Sequence, residues 1–395
     1  MDELVYPRER SLGTLTLVLG LLAWLLLIVG TFGTALLFLL LGFLAYLFAQ
    51  SALIAHIRGN GVELSESQFP DLYAHFQACC ERLKLPTRPK AYILNGNGTL
   101  NAFATKFLGL QYVVLMSDVI DAMDRHAEGV RFYIGHELGH LRLRHLSGHL
   151  LRWPVLWLPL LGAAYSRAKE SSCDRHGLAC CGTPASAAHA LAALSSGAKR
   201  WTKLDATAYV RQSNDTGGFW MSFHELVAGY PWLSKRFARV MDVNAPMPRR
   251  NPFAYLPALF VPYAGRLGAG FGFVILVYII GVSAAVGIPA YKSYQTRAVM
   301  HGVVMQSQAI RDKLAQYYQS THRVPPSLGE VGAASALADG SSLTLDTEHM
   351  RLSVHTRLGE LIFVPQANPD GHVSWVCTNG EGLKATDLPA SCKPR

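Results

Sequence analysis

The sequence predicts an α+β membrane protein. A transmembrane helical hairpin leads into a mainly helical domain with a small sheet, and a third transmembrane helix continues into a smaller α+β domain. Three observations predict this. Half of the 395 residues are apolar and only 16% are charged, against about 25% charged in an ordinary soluble protein. Residues 11–57 and 267–291 contain no Asp, Glu, Lys or Arg. Between and after these runs the chain returns to mixed polarity with helical and strand-like periodicities. The composition excludes a disordered chain and argues against a purely soluble enzyme. The net charge of +9 suits a membrane protein with basic loops. No basic cluster with interleaved aromatics occurs, so nucleic acid is not an expected partner.

A helix needs about 20 apolar residues to cross a hydrocarbon core of about 30 Å. As one helix, residues 11–57 would run about 70 Å at about 1.5 Å per residue. Two passes therefore fit, with the turn at residues 31–34, where Thr and Gly interrupt the apolar run. A secretory signal, with an apolar core of about 7–15 residues, would be far shorter. Residues 267–290 suffice for one further pass. Residues 153–164 and 253–264 contain prolines and are too short to span; they read as interfacial or re-entrant segments, or as buried core. The expected domains are 1–57 (two-helix anchor), 58–250 (large central domain), 251–290 (interfacial segment and third helix) and 291–395 (tail domain).

Lys and Arg near membrane ends favour the cytoplasmic side. Arg8, Arg10, Arg58, Arg249, Arg250 and Arg266 fall on one side of this topology, and Lys292 and Arg297 on the other. The N-terminus and 58–250 are thus expected in the cytoplasm, and 291–395 outside it. The cysteines fit that expectation. Cys79, Cys80, Cys173, Cys180 and Cys181 read as reduced buried thiols. Cys377 and Cys392, alone in the tail, read as a disulfide.

Chemistry concentrates at His136-Glu137-Leu138-Gly139-His140. On a helix, positions i and i+4 share a face, so both imidazoles reach one ion. Zinc suits nitrogen ligands, and Glu137 is placed to take a proton from a water that the ion activates. Apolar neighbours such as Phe132, Ile134 and Leu138 imply a buried helix, which has little use for His and Glu without a metal. Catalytic zinc takes three protein ligands and keeps one open position. Glu170 is the leading third candidate, and Asp174, one turn later, can accept the free ring N–H of a ligand histidine. His145, His149 and His176 are rival ligands. His145 faces off the ligand stripe and His149 lies too far along the axis; both read as supporting or surface histidines.

These motifs, in this order, resemble the membrane zinc peptidases that include the HtpX heat-shock peptidases and the CAAX prenyl endopeptidases, across roughly residues 60–245. The resemblance is carried by Asn101-Ala102-Phe103-Ala104, strand-like Tyr112–Leu115, His136-Glu137-x-x-His140, Glu170-x-x-x-Asp174 and Tyr230-Pro231-Trp232-Leu233-Ser234-Lys235-Arg236. It implies a gluzincin fold with zinc on His136, His140 and Glu170, and Asp174 behind a ligand. It further implies peptide substrate beside Asn101, Ala102 and Phe103. The family segment normally begins His-Pro, and its His is thought to hydrogen-bond the oxyanion. Here Tyr230 stands in that place, and a phenol can donate as well. Arg236 reads either as a surface salt bridge or as a structural or substrate-contacting group.

In the tail, the stretch from Gly270 through Pro289 to Ala298 resembles the N-terminal helix of type IV pilins. Residues 306–322 continue as an amphipathic helix that Pro325-Pro326 ends. Residues 352–354, 361–364 and 373–376 read as short antiparallel strands, and the Cys377–Cys392 close matches a pilin's disulfide-bounded end. Pilins carry a Glu at the fifth mature position; aligned on Pro289, that position is Gly272. No acidic residue occurs between Asp242 and Asp312, so processing and polymerisation are not expected. The combined expectation is a multi-pass zinc metalloendopeptidase of a bacterial inner membrane. Its peptidase domain is cytoplasmic and its pilin-like domain periplasmic. Its partners are the lipid bilayer, membrane or misfolded polypeptides, and a pilus-related protein. The rival is a non-catalytic scaffold that binds pilus machinery. A prenyl-protein protease fits less well, since that group carries more membrane helices.

Overall fold

The computed structural model describes residues 2–147, 149–265, 268–368 and 372–392. Arg266, used in the charge count, and Leu267, the start of the second charge-free run, lie outside the described residues. The chain is mostly helical with two small sheets, and divides into two compact units, Met1–Val277 and Tyr278–Arg395.

The first unit opens with α1 (Pro7–Gly30) and α2 (Ala35–Asn60). Pro7 sits at the first helical position, where its missing N–H costs nothing. The break falls at the expected residues, with Phe32 and Gly33 at positive φ (50° and 82°). Leu26, Phe38 and Phe48 are 73%, 72% and 79% exposed, a surface that lipid covers and water would not tolerate. Together with α13 (Gly268–Gln306), these are three helices long and apolar enough to cross a membrane. Trp24 of α1 differs from its neighbours. It is buried, donates to the Leu150 carbonyl (2.9 Å) and stacks on Trp153.

Next come β1 (Val62–Glu63), α3 (Pro70–Arg82), β2 (Lys90–Leu94), β3 (Ala102–Phe107), β4 (Leu110–Met116), α4 (Ser117–Ala122), α5 (Ala127–Arg142), α6 (His149–Leu156) and α7 (Leu161–Cys180). They are followed by α8 (Pro184–Ser196), α9 (Ala206–Gln212), α10 (Phe219–Val227), α11 (Leu233–Met241) and α12 (Tyr255–Ala258). The sheet order is β1-β2-β4-β3, with β2 parallel to β4 and β3 antiparallel to it. That leaves β3 on the edge. One core joins Phe76, Val113, Leu115, Phe132, Ile134, Leu138 and Leu191.

Glycines set the spacing of α5 and α7. A Cβ at Gly135 would lie 2.7 Å from Cys180 Sγ and 2.9 Å from the His176 oxygen, and one at Gly177 would lie 2.7 Å from the Phe132 oxygen. The two backbones approach closely because side chains are missing there. The two short proline-bearing segments are amphipathic. Val155 and Ala163 are buried while Trp153 and Trp157 are exposed; Ala254, Ala258 and Val261 are buried while Phe253 and Leu256 are exposed.

In the second unit, α13 from Tyr278 onward is followed by α14 (Gln308–Thr321) and an antiparallel meander. Its strands are β5 (Ser342–Asp346), β6 (Arg351–Thr356), β7 (Gly359–Ala367) and β8 (Val373–Asn379). The three expected strands are present and longer; β5 adds a fourth. The amphipathic helix begins after a break at Ser307 and ends at a left-handed His322, ahead of the prolines. Cys377 and Cys392 form the expected disulfide inside a core with Leu314 and Phe363, and Cys79, Cys80, Cys173, Cys180 and Cys181 are free.

Candidate metal centre

Helix α5 carries His136, Glu137 and His140, and the close approach of α7 brings Glu170 and Asp174 against them. Glu170 Oε2 lies 3.2 Å from His136 Nε2, and Glu170 Oε1 lies 3.7 Å from His140 Nε2. The other ring nitrogen of His136 donates to Asp174 Oδ1 (3.0 Å). Asp174 in turn accepts a two-pronged bond from Arg236 of α11, at 2.8 and 2.7 Å. Arg236 is thus neither a surface ion pair nor free; it braces the carboxylate that braces His136.

A cavity of about 290 Å³ opens on this cluster. It collects His136, Glu137, His140, Glu170, Tyr230 and Arg236 with Asn101 and Ala102. Strand alternation turns Phe103 to the other face of β3, where it packs with Ile54, Ile57, Tyr92 and Tyr112. Its side chain therefore does not reach the cavity. Tyr230 is 42% exposed at the cavity mouth. A larger cavity of about 480 Å³ lies behind Asp174 and Arg236, lined by Arg8, Arg175, Arg239 and Arg249 among others. It contains neither histidine of the motif, so the smaller one is the candidate reaction site.

The loop that presents Tyr230 is clamped from α7. The Arg167 guanidinium donates to the carbonyls of Glu225, Leu226 and Ala228. Glu225, almost fully buried, pairs with Lys235 (2.7 Å) and Arg250 (2.9 Å). Sequence reasoning missed this clamp, because ion pairs between distant loops leave no local pattern.

His145 is buried, which excludes the surface reading. Helix α5 ends in a Schellman turn: Arg144 N donates to the Leu141 carbonyl and His145 N to the His140 carbonyl, with Arg144 left-handed (φ 55°). The turn folds His145 back, so that its Nδ1 meets His140 Nδ1 at 3.0 Å, and its Nε2 lies 2.7 Å from Glu9 Oε1. His149 is exposed. His176 is fully buried on the far side of α7's contact with Gly139, its Nδ1 donating to the Ser172 carbonyl (2.7 Å). Neither belongs to the cluster.

Electrostatics sort the groups. Burial alone would raise the Asp174 carboxyl, but the Arg236 charge and the His136 hydrogen bond hold it well below the usual range. Burial opposes ionisation of Glu170 too; the close approach of the His136 ring and the His140 charge outweigh it and lower the carboxyl to about 2. His136 is raised, its burial overcome by Asp174 and Glu170, whereas burial holds His140 well below its ordinary value.

The cluster fits a divalent cation. Glu170 Oε2 is buried with no hydrogen-bond partner although two ring nitrogens converge on its carboxylate. Ligand atoms of His136, His140 and Cys173 also lie within 4.8 Å of one another. Cys173 is the poorer third donor. Its Sγ sits 3.7 Å from His145 Nδ1, beside the back of the His140 ring, and burial followed by the surrounding carboxylates pushes its thiol far up.

Residues 66–159 match Peptidase family M48, which supports a metallopeptidase. The match takes in β2, β3, β4 and the whole His136-to-His140 motif, and stops short of Glu170, Asp174 and Tyr230. No curated protein matches the chain.

Proposed function

We propose that this chain is an integral-membrane zinc endopeptidase whose ion is held by His136, His140 and Glu170. The observation that carries the reading is the convergence of two Nε2 atoms on a buried carboxylate with an unsatisfied oxygen, in a cavity that also contains Glu137. When bound, zinc supplies the Lewis acidity that makes water nucleophilic near neutral pH and polarises a peptide carbonyl. Glu137, beside the ligands and lining the cavity, takes the proton of the attacking water and returns it to the leaving amine. Asp174 and Arg236 hold the His136 ring with its Nε2 toward the cavity. Tyr230, at the cavity mouth, donates its hydroxyl to the oxyanion. The free edge of β3 at Ala102 suits an extended peptide added as a further strand, with Asn101 next to it. Substrates of this kind are membrane or misfolded proteins in quality control. The charge bias supports a cytoplasmic reading of residues 58–250 and an extracytoplasmic one of 291–395, in keeping with a bacterial inner-membrane protein whose tail is periplasmic. A long helix, an antiparallel meander and a C-terminal disulfide support a pilin-like reading of the tail, with a pilus-related protein as its partner.

The test is peptide cleavage and zinc content in the purified full-length protein. Glu137→Gln is expected to keep its zinc and lose cleavage by about 10²–10⁴-fold. Glu170→Ala is expected to lose zinc, and Cys173→Ala to retain it. Full cleavage by Glu137→Gln, or zinc that follows Cys173 rather than Glu170, overturns this assignment.

A further inference from the structure

Two ligand histidines need two supports. His136 has Asp174; what orients His140 is a chain of contacts that ends in the first membrane helix. His140 Nδ1 lies 3.0 Å from His145 Nδ1, and His145 Nε2 lies 2.7 Å from Glu9 Oε1. Glu9 belongs to the first turn of α1 and is buried, as is His145. The N-terminal segment is pinned where this requires it. Tyr6 N donates to Ser172 Oγ (2.8 Å), and Arg175 and Arg239 cover the Tyr6 ring.

Proton counting along the chain leaves one arrangement. A carboxylate only accepts, so the Glu9 contact places a hydrogen on His145 Nε2. A cation on His140 Nε2 requires that atom's lone pair, so His140 carries its hydrogen on Nδ1. That hydrogen can bond only if His145 Nδ1 is an acceptor, which is the state of a neutral ring already protonated at Nε2. Cys173, whose Sγ lies 3.7 Å from the same Nδ1, is a second donor facing that acceptor. The opposite arrangement, with a hydrogen on His145 Nδ1, forces His140 to accept there and to present an N–H where the ion must bind.

We infer that Glu9 and His145 form a positioning pair that fixes the tautomer and orientation of His140, so that the first membrane helix is part of the metal centre. This rests on the metal site proposed above, and it extends that site to a residue more than a hundred positions away in sequence. Neither residue touches substrate. Both act through His140.

Zinc affinity, measured by chelator competition on the full-length protein in detergent, tests the pair. Outer partners of metal ligands are typically worth about 10–100-fold in affinity. Glu9→Met and His145→Ala are each expected to lose that much. The double variant is expected to bind no more weakly than His145→Ala, because Glu9 has nothing left to act through. Glu9→Gln is expected to stay within about fivefold of the unsubstituted protein, since a neutral oxygen still accepts, though less strongly than a carboxylate. The chelated Glu9→Met protein is expected to melt somewhat below Glu9→Gln, because it leaves the buried His145 N–H without an acceptor, while both keep the fold. Unchanged affinity in Glu9→Met and His145→Ala overturns the pair, as do losses that multiply in the double variant. A loss of affinity in Glu9→Gln as large as in Glu9→Met overturns it, since the amide oxygen keeps the acceptor that the pair requires. If the unsubstituted protein binds no zinc, the metal reading fails and the pair falls with it. If it binds zinc that Glu170→Ala abolishes while the Glu9 variants are unaffected, only the pair fails.

Discussion

Tyr230 is the residue proposed to donate to the oxyanion, and its hydroxyl is testable. It lines the cavity with Arg236, His136, His140 and Glu170. Tyr230→Phe removes one donor and almost no volume. Losing one oxyanion donor costs about 10²–10³ in turnover, with little change in KM, because the bond strengthens mainly in the transition state. Tyr230→His is expected to restore part of the rate and to add a pH dependence near about 6.5, which a phenol titrating near about 10 does not have. Steady-state kinetics against pH check both; unchanged turnover in Tyr230→Phe would assign the ring to packing. At this scale the sequence is legible where helical spacing makes the chemistry. His136, His140, Glu170 and Asp174 meet because i, i+4 places each pair on one face. Phe103 shows the limit, since strand parity turns it away from its neighbour Ala102. His145 shows another. Its position follows from a left-handed Arg144, a residue type that gives no turn signal, and extending the helix past Arg142 pointed it the wrong way.

Among the elements, α7 organises the site. It presents Glu170 and Asp174 to α5, and Arg167 to the loop before α11. The ion pairs that complete the clamp are buried, which makes them sensitive to loss of one partner. Glu225→Ala strands Lys235, only 6% exposed, and leaves Arg250 without its carboxylate. Breaking a buried pair by removing one side costs about 3–5 kcal/mol, so a large fall in melting temperature is expected, accompanied by loss of cleavage as Tyr230 and Arg236 drift. Replacing both Glu225 and Lys235 by Met is expected to recover much of that stability, because no charge then stays buried unpaired. Burial would raise the Glu225 carboxyl, but Arg250 and Lys235 lower it from 4.5. A lowered carboxyl stabilises fully above its unfolded value and loses that contribution as acid protonates it. The wild-type melting temperature should therefore fall below about pH 4.5 more steeply than that of the double Met variant. The clamp was not legible in the sequence, since Arg167, Glu225 and Arg250 lie far apart along the chain and Lys235, though inside the Tyr230-to-Arg236 segment, gives no sign there of its partner. The membrane helices were legible, because a bilayer acts on composition over a whole span and not on single contacts.

For the whole molecule, the decisive question is which side of the membrane each unit occupies. Two independent features bear on it. Lys and Arg are concentrated at the ends that the first unit presents, and the free cysteines lie in that unit while the disulfide lies in the second. Disulfides persist in oxidising compartments and free thiols in reducing ones, so both features are in keeping with the proposed cytoplasmic first unit and exported second one. Three membrane passes are what this needs: two return the chain to its starting side and the third exports the tail. A reporter placed near Arg200 is expected to behave as cytoplasmic, and one fused after Arg395 as extracytoplasmic. The tail should shift in mobility on reduction, and Cys392→Ser should abolish the shift. That substitution should also destabilise the second unit, since closing a loop of this size is worth about 2–4 kcal/mol, while leaving zinc binding intact, because every proposed ligand and support lies in the first unit. If both reporters give the same answer, α13 does not cross, and the disulfide would then have to persist in a reducing compartment. If Cys392→Ser lowers zinc affinity, the two units are energetically coupled and the metal centre cannot be treated as the property of the first alone.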